Sequence, residues 1–242
     1  MLSRVLLALA LSAPSLAQTT WYVDVNSPND PGTGTAADPY RYIQYAIDQT
    51  TTLSGDRLLL APGQYAEDLT IVGKMLYIVG DASNPPVLVG ADTTPSILTA
   101  SQYAWPWLDN IALDGSAGQR CIDCTGSNLT VQNSTFAGTN YYSSAGGHVY
   151  VANSTVQLEG CTFMVDTTYP VSGGGLYAGS STVNIDSCTF QGVGNGCWLQ
   201  GGGGIAAASC QLTIKQSSFI GLCNEDSEGG GMAIHASQTQ IE

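Results

Sequence analysis

The sequence predicts an all-β chain coiled as a right-handed parallel β-helix, a solenoid with rungs of about 27 residues and a short N-terminal capping helix. Three observations predict it. First, an octapeptide recurs as LTVQNSTF from Leu129, VQLEGCTF from Val156, VNIDSCTF from Val183 and LTIKQSSF from Leu212, and its closing Phe136, Phe163, Phe190 and Phe219 are spaced 27, 27 and 29. Second, a glycine-rich marker follows each unit, and the apolar residues behind it, Val149, Leu176, Ile205 and Met232, are spaced 27, 29 and 27. Third, apolar residues fall in short alternating runs between glycine corners, which is the periodicity of strands. A leucine-rich repeat would show its L-x-x-L-x-L and Asn pattern, and a propeller blade needs about 40 residues; neither fits. One unit per turn stacks like residues at roughly 4.8 Å. The repeat itself does not fix the hand; the right hand is taken from the general chirality of parallel crossovers.

Residues 1–17 read as a cleaved secretory signal: Arg4, an apolar run from Val5 to Ala13, then small residues around Ser15 and Ala17. That run is too short to span a bilayer, which takes roughly 20 apolar residues, and no later stretch approaches that length. Residues 18–56 are expected to hold an N-terminal strand and the capping helix, the latter an amphipathic stretch of Tyr42, Ile43, Tyr45, Ala46 and Ile47 over the first rung. The β-helix is assigned to 57–242. Asp56 to Leu60, the turn Ala61-Pro62-Gly63, Tyr65, Leu69 to Val72, Leu76 to Val79 and Val87 to Val89 form its first coils. Leu108 and Leu113 then take the places of Val131 and Phe136, and Ile122 that of Val149, which adds a degenerate rung. Ile241 stands 27 residues after Ile214, so another rung is starting where the chain stops, and a helix truncated at its C-terminus is expected.

The composition narrows the function classes. With 6 Lys+Arg against 19 Asp+Glu, a net charge of −13 and only 10% charged residues, the chain is no basic nucleic-acid binder and no charged disordered tail. Anionic polymers and acidic lipid surfaces are repelled, whereas cations, neutral glycans and proteins remain as partners. Seven cysteines in an exported chain suggest disulfides, with at least one thiol left over. Cys197 and Cys223 stand eight and nine residues before Ile205 and Met232, on adjacent loops, and are the first candidate pair. Cys161 and Cys188 share the column of Ser134 and Ser217 one rung apart, which admits either a disulfide or a buried thiol ladder. Cys121-x-x-Cys124 has no second pair or His at metal-ligand spacing and reads as structural.

The segments YRYIQYAID, GDRLLLAPGQYAEDLTI and LYIVGD resemble the start of right-handed parallel β-helix proteins of the pectate-lyase-like superfamily. The later GGG-I and C-T-F units are similar to bacterial surface β-helices, including the chlamydial polymorphic outer-membrane repeats. The resemblance implies a fold, with the same right hand, for about residues 21–242 and leaves function open among lyases, hydrolases, esterases and non-enzymatic adhesins. A pectate lyase needs an Asp-rich Ca²⁺ cluster and a basic residue, yet Arg41, Arg57, Arg120, Lys74 and Lys215 are dispersed. The N-T-D, D-D, G-H-G and R-I-K set of a polygalacturonase is absent, since Gly147-His148-Val149 lacks the second glycine. His148 and His235 read as ordinary strand residues.

Equivalent positions on successive rungs stack into columns, where function would show. Tyr142, Tyr169 and Trp198 stand four residues before the first aligned glycine of their units and are the candidate contact platform for a neutral glycan or a partner protein. Glu159 and Asp186 face outward one rung apart in the column Asp109, Gln132, Glu159, Asp186, Lys215, Glu242. Carboxylates so spaced suit a retaining glycosidase or a shared Ca²⁺, and equally a solvated face relieved by Lys215. The glycines at 146–147, 173–175, 201–204 and 229–231 have no Lys-Ser/Thr after them and read as corners, not a phosphate cradle. The expectation is an exported cell-surface β-helix for adhesion or glycan binding, with no confident metal or other cofactor. The alternative is a polysaccharide lyase or glycosidase using Glu159 and Asp186.

Overall fold

A computed structural model describes residues 18–91, 93–116, 118–138, 145–166, 172–193, 202–222 and 230–242. All strand pairs between successive rungs are parallel and build three sheets. Sheet A has nine strands: Thr20–Val23, Arg57–Leu60, Met75–Val79, Trp105–Asp109, Asn128–Gln132, Thr155–Glu159, Thr182–Asp186, Gln211–Lys215 and Gln238–Ile241. Sheet B has seven: Gln64–Ala66, Val87–Val89, Ala112–Asp114, Thr135–Ala137, Thr162–Asp166, Thr189–Val193 and Ser218–Ile220. Sheet C also has seven: Leu69–Val72, Ser96–Ser101, Arg120–Thr125, Val149–Ala152, Leu176–Gly179, Ile205–Ala208 and Met232–His235. From the strand Trp105–Asp109 onward each rung passes from A through a tight corner to B, then by a longer connection to C, and through a second tight corner back to A.

The register is the one the period requires. Val131 pairs with Leu108 and Leu158, Phe136 with Leu113 and Phe163, Ile122 with Val149, and Ile214 with Ile241. Alternation sends Leu129, Val131 and their equivalents into the core and the polar residues between them outward. Phe136, Phe163, Phe190 and Phe219 stack with ring centroids 4.4, 4.5 and 5.0 Å apart and nearly parallel planes. Each such pair contributes roughly 0.5–1.5 kcal/mol beyond its burial.

Helix α1 (Ile43–Asp48) covers the first rung with Ile43, Ala46 and Ile47 buried. Tyr42 and Tyr45, which the amphipathic reading included, stay 40% and 38% exposed at its rim. The first turn is capped from the rung below: the Ile43 and Gln44 amides donate to the Glu67 carboxylate at 2.8 and 2.9 Å. Burial raises the pKa of Glu67 and these two amides oppose the rise.

Both tight corners follow one rule. A residue in the left-handed region turns the chain: Asn110, Asn133, Gly160, Ser187 and Gln216 between A and B, and Gly126, Asn153, Ser180, Ser209 and Ala236 between C and A. At all five of these C to A corners the next residue points a hydroxyl or thiol back at the carbonyl two residues earlier: Ser127 to Thr125 at 3.3 Å, Ser154 to Ala152 at 2.8 Å, Ser181 to Gly179 at 2.7 Å, Cys210 to Ala208 at 3.3 Å and Ser237 to His235 at 2.8 Å. The hydroxyl also accepts an amide from the preceding rung, Ser127 N–H to Ser154 Oγ and Ser154 N–H to Ser181 Oγ, both at 3.1 Å. Corner amides that would be buried without a partner are thereby satisfied.

The A to B corner explains why Cys161 and Cys188 are not joined. Both are free buried thiols, and the disulfide admitted by their spacing is not formed. Cys161 Sγ lies 3.4 Å from the Glu159 carbonyl and Cys188 Sγ 3.3 Å from that of Asp186, the places held by Ser134 and Ser217 hydroxyls at 2.6 and 2.7 Å. The thiols stand in for corner hydroxyls, with parallel side chains, and form the ladder instead. The hydrogen bond with Cys188, and then burial, push the Cys161 thiol up. Cys197 and Cys223 lie outside the described residues.

Candidate functional site

The outer face of sheet A is built from three columns that alternate with the core positions. Its middle column runs Arg57, Tyr77, Trp107, Thr130, Gln157, Asn184, Thr213 and Gln240. The Tyr77 and Trp107 rings are 5.4 Å apart. The Trp107 indole N–H donates to Gln132 Oε1 at 3.2 Å, and the Trp105 N–H to Thr130 Oγ1 at 3.1 Å, so both rings lean over the next rung. Trp105 remains 37% exposed above a shallow recess of about 100 Å³ shared with Asn128, Thr155 and Gln157.

The third column holds the predicted carboxylates. Glu159 and Asp186 pair in register on adjacent strands and line one recess of about 370 Å³ with Gln157, Asn184, Thr213 and Lys215. Gln132 donates to Glu159 at 2.6 Å and the Ser187 hydroxyl to Asp186 at 2.9 Å, while Lys215 pairs with Glu242 at 2.7 Å. Among the described residues no group of three or more His, Cys, Asp or Glu side chains is placed to hold a metal ion.

Tyr142, Tyr169 and Trp198 lie outside the described residues, on segments that lead into strands of sheet C. The outer face of that sheet carries its own aromatic pair, Tyr150 stacked on Tyr177 at 5.3 Å. Arg120 sits 4.7 Å from the Tyr150 ring centre, is paired with Asp123 at 2.9 Å, and donates to the carbonyls of Ala145 and Gly146, each at 2.9 Å. A guanidinium so occupied is a fixed structural group.

Sequence reasoning missed Trp105, Trp107 and Tyr77, because the rung from 105 was read only through its apolar Leu108 and Leu113. The available signal was the W-P-W-L alternation, which places both indoles outward when Leu108 is inward. His148 is no surface base: it is fully buried, its Nδ1 is 3.0 Å from the Gly174 carbonyl, and its ring meets the edges of Phe136 and Phe163 at 6.3 and 6.1 Å. Later rungs carry Gly175 and Gly204 in this column, and a Cβ on Gly175 would lie 2.6 Å from the Phe190 ring. Gly173, with φ +62, is one of the predicted corner glycines, and its Cβ would strike the Leu176 carbonyl at 2.2 Å.

No protein-family model matches the chain. No curated protein sequence matches it either. Solved structures do match in fold. The chain superposes on a pectin methylesterase variant in complex with a hexasaccharide at a TM-score of 0.53, with 14% identity over 87% of this chain and 68% of that one. It superposes on a rhamnogalacturonan lyase at a TM-score of 0.53, with 11% identity over 91% of this chain and 62% of that one. Both are right-handed β-helix type folds, and this chain shares that fold as a right-handed parallel β-helix. At these identities the likeness speaks for fold alone. Among the described residues no helix is long and apolar enough to cross a membrane.

Proposed function

We propose that the chain is an exported cell-surface β-helix that binds glycans, or a glycan-bearing partner, along its side without cleaving them. The observation that carries this reading is the exposed Trp105 indole, fixed by its bond to Thr130, at the head of uncharged hydrogen-bonding columns on sheet A. An aromatic face beside amides and hydroxyls is the chemistry that receives a sugar ring. The apolar run from Val5 to Ala13 supports export, and the names of the two superposed proteins support a carbohydrate-related role. The net charge of −13 favours neutral over pectin-like acidic glycans. Tyr142, Tyr169 and Trp198 remain proposed contacts.

A second reading, a polysaccharide lyase or glycosidase, is favoured by one observation: Glu159 and Asp186 share a recess. One experiment separates the two. The purified chain is screened against neutral and acidic polysaccharides, with and without Ca²⁺, following retention and product release. Retention without products is expected, with Trp105→Ala weakening it by about tenfold, or 1.4 kcal/mol, at an unchanged unfolding midpoint. Product release that disappears in Glu159→Gln or Asp186→Asn would overturn the binding reading in favour of the enzyme.

A further inference from the structure

The corner between sheets C and A departs from its own rule at one rung. Register places Val72 and Thr125 opposite Ser101, and Met75 and Asn128 opposite Trp105. Three steps separate these positions on the neighbouring rungs and four separate Ser101 from Trp105. The extra residue is Tyr103. It is 89% exposed and follows Gln102 in the left-handed region, with φ of +65 and +54. A bulky aromatic gains nothing for the fold in that conformation, which costs on the order of 1–3 kcal/mol.

Tyr103 stands at the head of a groove of about 780 Å³ that runs along the corner through the rungs of Gly126, Asn153, Ser180 and Ser209. The inner hydroxyls of Ser127, Ser154 and Ser181 are taken up in building the corner. The outer side chains of Asn128, Asn153, Thr155, Ser180, Thr182 and Gln211 make no hydrogen bond to another described residue. No residue lining the groove is charged.

Resting on the glycan-binding reading above, we propose that this groove seats a linear, uncharged glycan parallel to the helix axis, with Tyr103 stacking on its terminal sugar ring. Linearity follows from the rows: equivalent donors and acceptors repeat at roughly 4.8 Å, and the five rungs from Gln102 to Ser209 span about 19 Å. An extended sugar chain repeats its hydroxyls at a comparable interval, whereas a compact or branched ligand meets only one or two rungs. The absence of charge among the lining residues of an acidic chain selects a ligand recognised by hydroxyl and amide bonds alone. The groove shares Asn128 and Thr155 with the recess before Trp105, so the two aromatic side chains frame one continuous surface.

The test is calorimetric titration of the purified chain with linear neutral oligosaccharides of increasing length, cello-, xylo-, manno- and laminari-series, alongside the polysaccharide screen. Affinity is expected to rise with length and level off near four sugar units, the number that spans about 19 Å at about one per inter-rung step. Tyr103→Gly is expected to bind at least about tenfold more weakly while its unfolding midpoint stays or rises, because glycine relieves the left-handed backbone. Asn153→Asp, which keeps the corner conformation and adds a charge, is expected to weaken binding similarly. If glycans are retained but short and long oligosaccharides bind alike, or Tyr103→Gly binds as the parent does, the groove proposal is wrong and glycan binding stands. If nothing in the screen is retained while a protein partner stripped of its glycans is, both are wrong.

Discussion

His148 shows how a single residue sets a condition for stability. Its imidazole is fully buried, and burial lowers its pKa to about 4, against the opposing pull of the Gly174 carbonyl, Asp166 and Asp114. In the unfolded chain a histidine titrates near 6.5. Between those two values the unfolded state holds more protons, so stability is complete above about pH 6.5 and is lost as the pH falls towards about 4. The expected loss is on the order of 3 kcal/mol, read by urea denaturation at neutral and acid pH. His148→Leu should remove most of that slope; a variant that keeps it would place the acid sensitivity on other groups. Neither the burial nor the shift was legible beforehand, because the column changes from His148 to Gly175 and Gly204 in step with how the Phe ladder fills the interior.

Among elements, the corners decide more than the strands. Strand positions were readable from alternation, and the register among Leu108, Val131 and Leu158 followed from the period alone. The corner chemistry was half readable: glycine and asparagine signalled turns, but the shared role of Ser134, Cys161, Cys188 and Ser217 emerged only when their side chains were seen aimed at carbonyls. The equivalence is testable at Ser154. Ser154→Ala strands the buried Ser127 amide and should cost about 1–3 kcal/mol. Ser154→Cys should cost less than about 1 kcal/mol, since Cys210 already fills the same place on a later rung. Equal losses in the two variants, measured by chemical denaturation, would show that packing and not the corner bond matters there.

On the scale of the whole molecule, stacking turns a repeat into long straight rows, and charge decides what those rows can meet. The net charge of −13 acts on any polymer laid along the helix. A neutral polysaccharide retained by the chain should lose retention when carboxymethylated, and added salt should restore part of it as the screening length falls from about 10 Å at 0.1 M to about 3 Å at 1 M. Salt-independent retention of the neutral and charged forms alike would argue that binding does not run along the acidic body.

Sequence alone determined the class of fold, the rung length, the parallel register and the sign of the surface charge. Each of these follows from period, alternation and composition, quantities that add along the chain and need no knowledge of what lies beside it. Tertiary structure decided which side chains share a surface: Trp105 leaning on Thr130, thiols standing in for corner hydroxyls, His148 among phenylalanines, and Tyr103 inserted at the head of a neutral groove. These depend on packing across a corner and between rungs, where residues some 25 positions apart meet at the spacing of neighbouring strands.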